Sequence, residues 1–495
     1  MSRSSLFHQL FPGRKLVVLS NREPYTHHHS PDGPICRQPV GGLVSALDPL
    51  LQSTGGTWIA WGSGDADRDV SPNGSLRVPP ERPAYTLRRL WLSPEEVREY
   101  YDDYANGGLW PLSHLLPERA NFAWSAWRTF KSVNRRFAET AGAVAGRGDV
   151  VWVNDYQLSL VPAFLRDLRP DCLIAHFWHI PWPPHSIFRL CPQRRELLEG
   201  LLGNHLLGFH TPEYAANFLE AVATELDAQV DPTSGCVVHN GRETMVGAFP
   251  ISIDYKYWRS MALSPKSELL AGRIHRHYRQ RNRYLGLAVD RLDYTKGILP
   301  RLEGFRQFFE RFPAYRGRVT LVQVVVPNRT SIAAYAALQE EIAAVTRRLK
   351  SAYRLPGWVP IIPVTRKLEP EHLSSLYRAA DFAIVSPIFD GMNLVAKEFV
   401  ACQVNQRGVL LLSESAGASQ ELDAALPINP LDPEGFAATI RRALEMSLAE
   451  RQNRLERMQQ YLSANDIYQW VDSIFYRLAD LRPSPWASDL TAFGS

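Results

Sequence analysis

The chain has 495 residues, 45% of them hydrophobic and 21% charged, with a net charge of +4. That length points to two domains, and so small a charge excludes a protein built around nucleic acid. Five cysteines with neither CxxC nor zinc-ligand spacing exclude a disulfide framework and suit a reducing cytosol. The start, MSRSSLFHQLFPGRK, lacks a signal peptide's apolar run, and no window approaches the roughly 18 apolar residues of a membrane span. The expectation is a cytoplasmic protein.

In chain order, nearly continuous apolar runs predict strands at KLVVLS (15–20), DVVWVND (149–155), CLIAHFWHI (172–180) and HLLGFH (205–210). They recur at RYLGLAVD (283–290), RVTLVQVVVP (318–327), DFAIVSP (381–387) and RGVLLLS (407–413). Such runs suit strands covered on both faces, and helical patterns separate them. One is HLSSLYRAA, where Leu373, Leu376 and Ala380 share a face. The alternation predicts an α/β fold with two parallel, doubly wound sheets, divided near VGAFPISIDYKYWRS (246–260). Polar residues gather at the strands' carboxyl ends, among them Asn21-Arg22, Asn154-Asp155, His179, Asp290-Arg291, Asn328-Arg329 and Asp390-Gly391. Ligands of open α/β sheets bind outside those ends, so the pattern predicts a site, in a cleft lined by both domains.

Arg291 and Lys296 flank a turn closed by Gly297 and could meet one diphosphate, or form a surface ion-pair cluster with Asp290 and Asp293. Gly41 and Gly42 precede an apolar-periodic segment, which fits close approach to an anion or a plain turn. A helix starting near Asn393 turns Val395, Phe399 and Cys402 to the core. It leaves the amides of Leu394 and Val395 facing the cleft, with Glu398 on a flank suited to a ribose. Capping by Asp390 or Asn393 with an exposed Glu398 is the other reading. Tyr100, Tyr101 and Trp110 offer aromatic surface with polar handles for a sugar, or core packing. His179 is a site residue or a satisfied core histidine. His27-His28-His29 cannot all face one metal ion. Cations for phosphate, carboxylates for hydroxyls and aromatics for rings suggest transfer from a sugar nucleotide.

Together these stretches resemble the trehalose-6-phosphate synthase family, retaining glycosyltransferases of the GT-B fold, from Leu16 to about Trp470. SNR (20–22), GG (41–42), EYY…LWP (99–111), NDYQL (154–158), HIPWP (179–183), GFHT (208–211), DRLDYTKG (290–297) and DGMNLVAKE (390–398) stand in the family's order. The resemblance implies two Rossmann-like domains facing a central cleft. Residues 1–250 would form the acceptor side and 251–465 the nucleotide-sugar side, with 466–495 packing back on the first domain. It implies that Arg291 and Lys296 bind the donor diphosphate beside Gly41, Gly42 and the amides of Leu394 and Val395. Glu398 would hold the ribose, and His179 and Asp390 the hydroxyls of the transferred glucose. Tyr101, Trp110, Asp155 and Arg329 would hold glucose 6-phosphate, with Arg22 close to both substrates. No cofactor and no metal are expected. The expected mechanism is front-face, the donor phosphate oxygen accepting the acceptor hydroxyl's proton. Without a phosphatase-type second domain, a separate phosphatase partner is expected for the product; a homo-oligomer is left open.

Departures bear on the acceptor. SNREPY stands where the family more often has SNRLP, and is similar to the opening of glucosylglycerol-phosphate synthases. NDYQL replaces HDYHL, GFHT replaces GFQT and PISI replaces PIGI. HIPWP, LWP and PNR with Arg329 favour glucose 6-phosphate over glycerol 3-phosphate. A non-catalytic sugar-phosphate-binding homologue is a further alternative, but such proteins tend to lose donor-site residues that are intact here.

Overall fold

The computed structural model describes residues 3–38, 42–279, 283–328 and 333–481, so Gly41 and Arg329 lie outside the described residues. The chain forms two compact units: residues up to Pro250 together with those from Tyr468, and Ile251–Ile467.

The first unit is built on a ten-stranded sheet. Its strands are β1 (Leu16–Arg22), β2 (Thr57–Trp61), β3 (Ser75–Val78), β4 (Tyr85–Leu90), β5 (Val150–Asn154), β6 (Leu173–Phe177), β7 (Leu206–Phe209), β8 (Gln229–Asp231), β9 (Cys236–His239) and β10 (Arg242–Ala248). They lie in the order β8-β9-β10-β7-β6-β5-β1-β2-β4-β3. From β10 to β4 all neighbours are parallel; hairpin pairing adds β8 and β9 at one edge and β3 at the other. Val150–Asn154 and Leu173–Phe177 are buried at every residue, as strands covered on both faces must be. The helix Ile467–Asp480 packs Trp470 against Trp152 and Phe177, with ring centroids 5.3 and 5.0 Å apart.

The second unit carries six parallel strands: β11 (Tyr284–Arg291), β12 (Val319–Val326), β13 (Ile361–Val364), β14 (Phe382–Val385), β15 (Val409–Ser413) and β16 (Leu426–Ile428). Their order, β13-β12-β11-β14-β15-β16, reverses direction between β11 and β14. Phe305, Phe308 and Phe309 from the helix Ile298–Arg311 fill the core with Leu321, Ile361, Phe382 and Leu411. In the first sheet the order reverses between β1 and β5. Crossovers leave in opposite directions at such a point, so a crevice opens at the carboxyl ends of the two strands. Asn21-Arg22 and Asn154-Asp155 stand at the first reversal; the loops after Arg291 and Val385 stand at the second.

All eight predicted strands form, each within a few residues of its expected span. The third is shorter: it stops at Phe177, and His179 lies beyond it. One helix face differs from expectation. In Pro370–Ala379 the buried residues are Ser374, Ser375, Tyr377 and Ala379, while Leu373 and Leu376 are half-buried. Small serines let this helix pack closely on its neighbours, and both Ser hydroxyls bond the Glu371 carbonyl. Among the described residues, no helix is long and apolar enough to cross a membrane.

Candidate active site

In the second unit, β11 leads into a tight turn at Tyr294–Lys296. Asp293 holds it by accepting from the Thr295 amide at 3.1 Å and the Thr295 hydroxyl at 3.0 Å. Gly297 follows at φ 60°, and a Cβ there would meet the Ser386 carbonyl oxygen at 2.0 Å. Only glycine satisfies both constraints. Lys296 is thereby aimed at the β14 loop, where Nζ donates to Asp390 Oδ2 at 2.6 Å.

The same Asp390 oxygen accepts from Asn393 Nδ2 at 3.0 Å. Asn393, at φ 79°, caps the helix Leu394–Cys402 by accepting from the Ala396 amide at 3.4 Å. Asn393 is thus the cap, and Asp390 is the partner of Lys296. The cap takes the third amide of the helix, and those of Leu394 and Val395 have no carbonyl of their own helix within reach. The turn is fastened from the β15 side: the Gly417 amide donates to the Asp390 carbonyl at 3.0 Å, and the Ala418 amide to that of Met392 at 2.8 Å. Phe399 and Cys402 are buried as expected, but Val395 is only half-buried; Ala396 and Val400 complete the core face.

Glu398 is half-buried and accepts from the Tyr377 hydroxyl at 2.9 Å. Burial pushes its carboxyl up to about 7, against the pull of that hydrogen bond. Its neighbour Lys397 points the other way. Fully buried, it donates to Glu421 Oε2 at 2.5 Å and to the Ile251 carbonyl at 2.7 Å. Burial lowers its pKa, while Glu421 opposes the shift. Arg291 is exposed at the end of β11.

Asp290 takes no place in the alternative surface ion-pair cluster, because its partner is Arg301. Asp290 is buried and accepts from Arg301 Nη1 at 2.6 Å. Sequence reasoning passed over Arg301, whose guanidinium is fully buried and also bonds Ser386 Oγ at 2.8 Å, Gln323 Oε1 at 3.2 Å and the Lys296 carbonyl at 3.2 Å. The available signal was its position three residues after Ile298, on the apolar stripe that continues through Leu302 and Phe305.

In the first unit, Arg22 Nη2 donates to the Tyr101 hydroxyl at 3.0 Å and the guanidinium lies 5.8 Å from that ring's centroid. Tyr101 belongs to a π-helix, Arg98–Leu109, an element frequent at functional sites. Tyr100 is no surface aromatic: it is wholly buried, and its hydroxyl donates to Asn21 Oδ1 at 3.0 Å. Trp110 is also mostly buried, its ring tilted against those of His114 and Tyr156. Asp155, at φ 76°, accepts from the amides of Tyr156 at 3.0 Å and His179 at 3.2 Å. His179 is held neutral, burial first and then the neighbouring His210 and His176 pulling its pKa well down. Gly42 opens the helix Gly42–Thr54.

Glu23, the unusual residue of SNREPY, is fully buried. It accepts from Arg89 Nε at 2.6 Å and from the Ser63 amide at 2.8 Å. Arg89 also pairs with Asp67 at 2.8 Å, and Asp67 lies 3.1 Å from His27 Nδ1. Burial and the adjacent Asp67 push Glu23 up to about 8 against the attraction of Arg89. The described residues contain no cluster of three or more metal-ligating side chains.

The chain is 39% identical over 481 residues to the bifunctional trehalose-6-phosphate synthase/phosphatase of Thermoproteus tenax, with 94% of this chain aligned to 63% of that protein. It is 38% identical to the trehalose-6-phosphate synthase of Mycobacterium avium, over 94% of this chain and 96% of that one. Its fold superposes on an Escherichia coli structure bound with UDP-2-fluoro glucose at a TM-score of 0.85, with 30% identity, covering 95% of this chain and 100% of the other. An α,α-trehalose-phosphate synthase (UDP-forming) from Burkholderia xenovorans, in complex with glucose-6-phosphate, matches at 0.82 with 31% identity, covering 94% and 99%. The family model for glycosyltransferase family 20 matches residues 14–480. The chain belongs to glycosyltransferase family 20, the trehalose-6-phosphate synthase family.

Proposed function

We propose that this protein transfers glucose from UDP-glucose to glucose 6-phosphate with retention of configuration, giving α,α-trehalose 6-phosphate and UDP. The observation that carries the reading is the second sheet's reversal point. There Lys296 is aimed at Asp390 across 2.6 Å, beside a helix start whose first amides suit an anion.

Arg291, Lys296, Gly41, Gly42 and the amides of Leu394 and Val395 bind the diphosphate and stabilise the charge that develops as UDP departs. Glu398 accepts from the ribose hydroxyls. His179 and Asp390 orient the glucose, and Arg22, Tyr101, Trp110, Asp155 and Arg329 place the acceptor. The bond from the glucose anomeric carbon to the phosphate oxygen breaks, and a bond to the acceptor oxygen forms on the same face. The acceptor's proton passes to the departing phosphate oxygen. Orientation and electrostatics are the protein's contribution. In this scheme residues 1–250 serve the acceptor and 251–465 the donor, with 466–495 belonging to the first. The enzyme works in the cytoplasm.

The glycerol 3-phosphate alternative drew on SNREPY. Glu23 is buried against Arg89, which gives that departure an internal purpose and removes it as a signal for a different acceptor. The test is a matrix of UDP-, GDP- and ADP-glucose against glucose 6-phosphate and glycerol 3-phosphate, with nucleotide release and product mass measured. Trehalose 6-phosphate from UDP-glucose is expected; glucosylglycerol phosphate as the main product overturns the acceptor assignment. Donor binding with no nucleotide release from any acceptor leaves a regulatory protein.

A further inference from the structure

Two of the positions at which this chain departs from its family's motifs, Asn154 and His210, meet at one residue, His179. Asn154 is fully buried at the end of β5. Its Nδ2 donates to the carbonyls of Leu19 and Trp152, each at 3.3 Å. An amide nitrogen only donates and an amide oxygen only accepts, so two carbonyls on the nitrogen side decide which way the carboxamide faces. Its Oδ1 is therefore the atom turned to His179 Nε2, at 3.3 Å. An acceptor with no proton to give requires the hydrogen to sit on Nε2.

The rest of His179 is held as well. Its amide donates to Asp155 Oδ1 at 3.2 Å, and His210 Nε2 donates to its carbonyl at 3.1 Å. Its ring packs on Phe177, with centroids 4.6 Å apart. We propose that Asn154 is a positioning residue that locks His179 as the Nε2–H tautomer, so that Nδ1 accepts a hydrogen bond from a hydroxyl of the transferred glucose. The second half rests on the sugar-contacting role assigned to His179 above. His210 supports the same arrangement by fixing the backbone from which the ring projects.

The titratable groups facing His179 are Asp155, His176 and His210. His176 directs its own Nε2 to the Asp155 carbonyl, at 3.1 Å. With burial and two histidines disfavouring the imidazolium, the ring stays neutral, which leaves one nitrogen as donor and the other as acceptor. Had a histidine stood at position 154, it could have met Nε2 either as donor or as acceptor. Asparagine removes that freedom.

The test is long-range ¹H–¹⁵N spectroscopy of the whole chain labelled with ¹⁵N-histidine, the His179 signals being those lost in His179→Ala. A protonated Nε2 and a bare Nδ1 are expected without any substrate. Asn154→Leu removes the acceptor and is expected to give mixed tautomers and a roughly tenfold lower kcat/KM for UDP-glucose. Asn154→Asp keeps the shape and adds a charge. It is expected to retain Nε2–H and raise the pH at which His179 protonates, so this variant loses activity on the acid side before the parent does. A bare Nε2 in the parent, or a native tautomer in Asn154→Leu, overturns the proposal. Nε2–H in the parent together with full turnover by His179→Ala supports Asn154 as the residue that sets the ring and overturns the sugar contact.

Discussion

Lys296 and Asp390 are 94 residues apart in sequence and 2.6 Å apart in space, and their contact joins the two loops at the reversal point of the second sheet. It holds the lysine where a diphosphate would gain a charge-assisted bond, worth roughly 1.5–3 kcal/mol. Lys296→Ala is expected to lower kcat/KM for UDP-glucose about 10- to 100-fold. Steady-state kinetics that find an unchanged value refute the role of Lys296.

Arg301 ties residues of three neighbouring strands or the loops after them to the carbonyl of Lys296 from inside the core. Arg301→Met strands Asp290 as a buried charge, an effect of about 3–5 kcal/mol. Urea denaturation should show that loss, and a large part should return in Asp290→Asn/Arg301→Met. A single variant as stable as the parent shows that the guanidinium is dispensable.

Glu398 links pH to stability and, if it holds the ribose as proposed, to donor binding. Its folded pKa of about 7 stands above the ordinary 4.5. Between these values the folded chain keeps a proton that the unfolded chain has released. The stabilisation from this group is therefore complete below about pH 4.5 and is lost as the pH rises through about 7. On the proposed ribose contact, donor binding runs in the opposite sense, because the ionised carboxylate is the stronger acceptor for hydroxyls. KM for UDP-glucose should rise as the pH falls below about 7. Glu398→Gln should flatten both profiles, read by thermal unfolding and by kinetics across pH 5 to 9; an unaltered KM profile in this variant assigns the titration to another group.

Tyr101→Phe keeps a ring near Arg22 and removes the hydroxyl that accepts from it at 3.0 Å. One such bond corresponds to about 1 kcal/mol, so KM for glucose 6-phosphate should rise about fivefold with the donor KM unchanged. Arg329→Ala should impair phosphorylated acceptors far more than donor binding. An equal loss measured with glucose itself argues against a phosphate contact.

The sheet type and the site's motifs were legible because both depend on short-range pattern. A strand covered on both faces must be apolar throughout, and eight such runs stand out. Strands that carry charge did not: Tyr85–Leu90 includes Arg88 and Arg89, and only its buried partners Glu23 and Asp67 make Arg89 acceptable inside. The edge hairpin Cys236–Ala248 places His239, Arg242, Glu243 and Thr244 in its strands and was passed over for the same reason. In DGMNLVAKE the helix start was readable, but the split between Lys397 and Glu398 was not. One residue along a helix is about 100° of rotation. That rotation buries Lys397 against Glu421 and leaves Glu398 half-exposed beside Tyr377.

By itself, then, the sequence determined the α/β class, the order of the motifs and the chemistry they can offer, since those follow from residue type and local spacing. Only the tertiary structure decided which charges face a ligand and which hold the fold. Asp290 and Lys397 both sit within site motifs, yet they are buried on partners 11 and 24 residues away. A charge tolerates burial only when an opposite charge reaches it in the same dry place, and chain folding alone brings the two together.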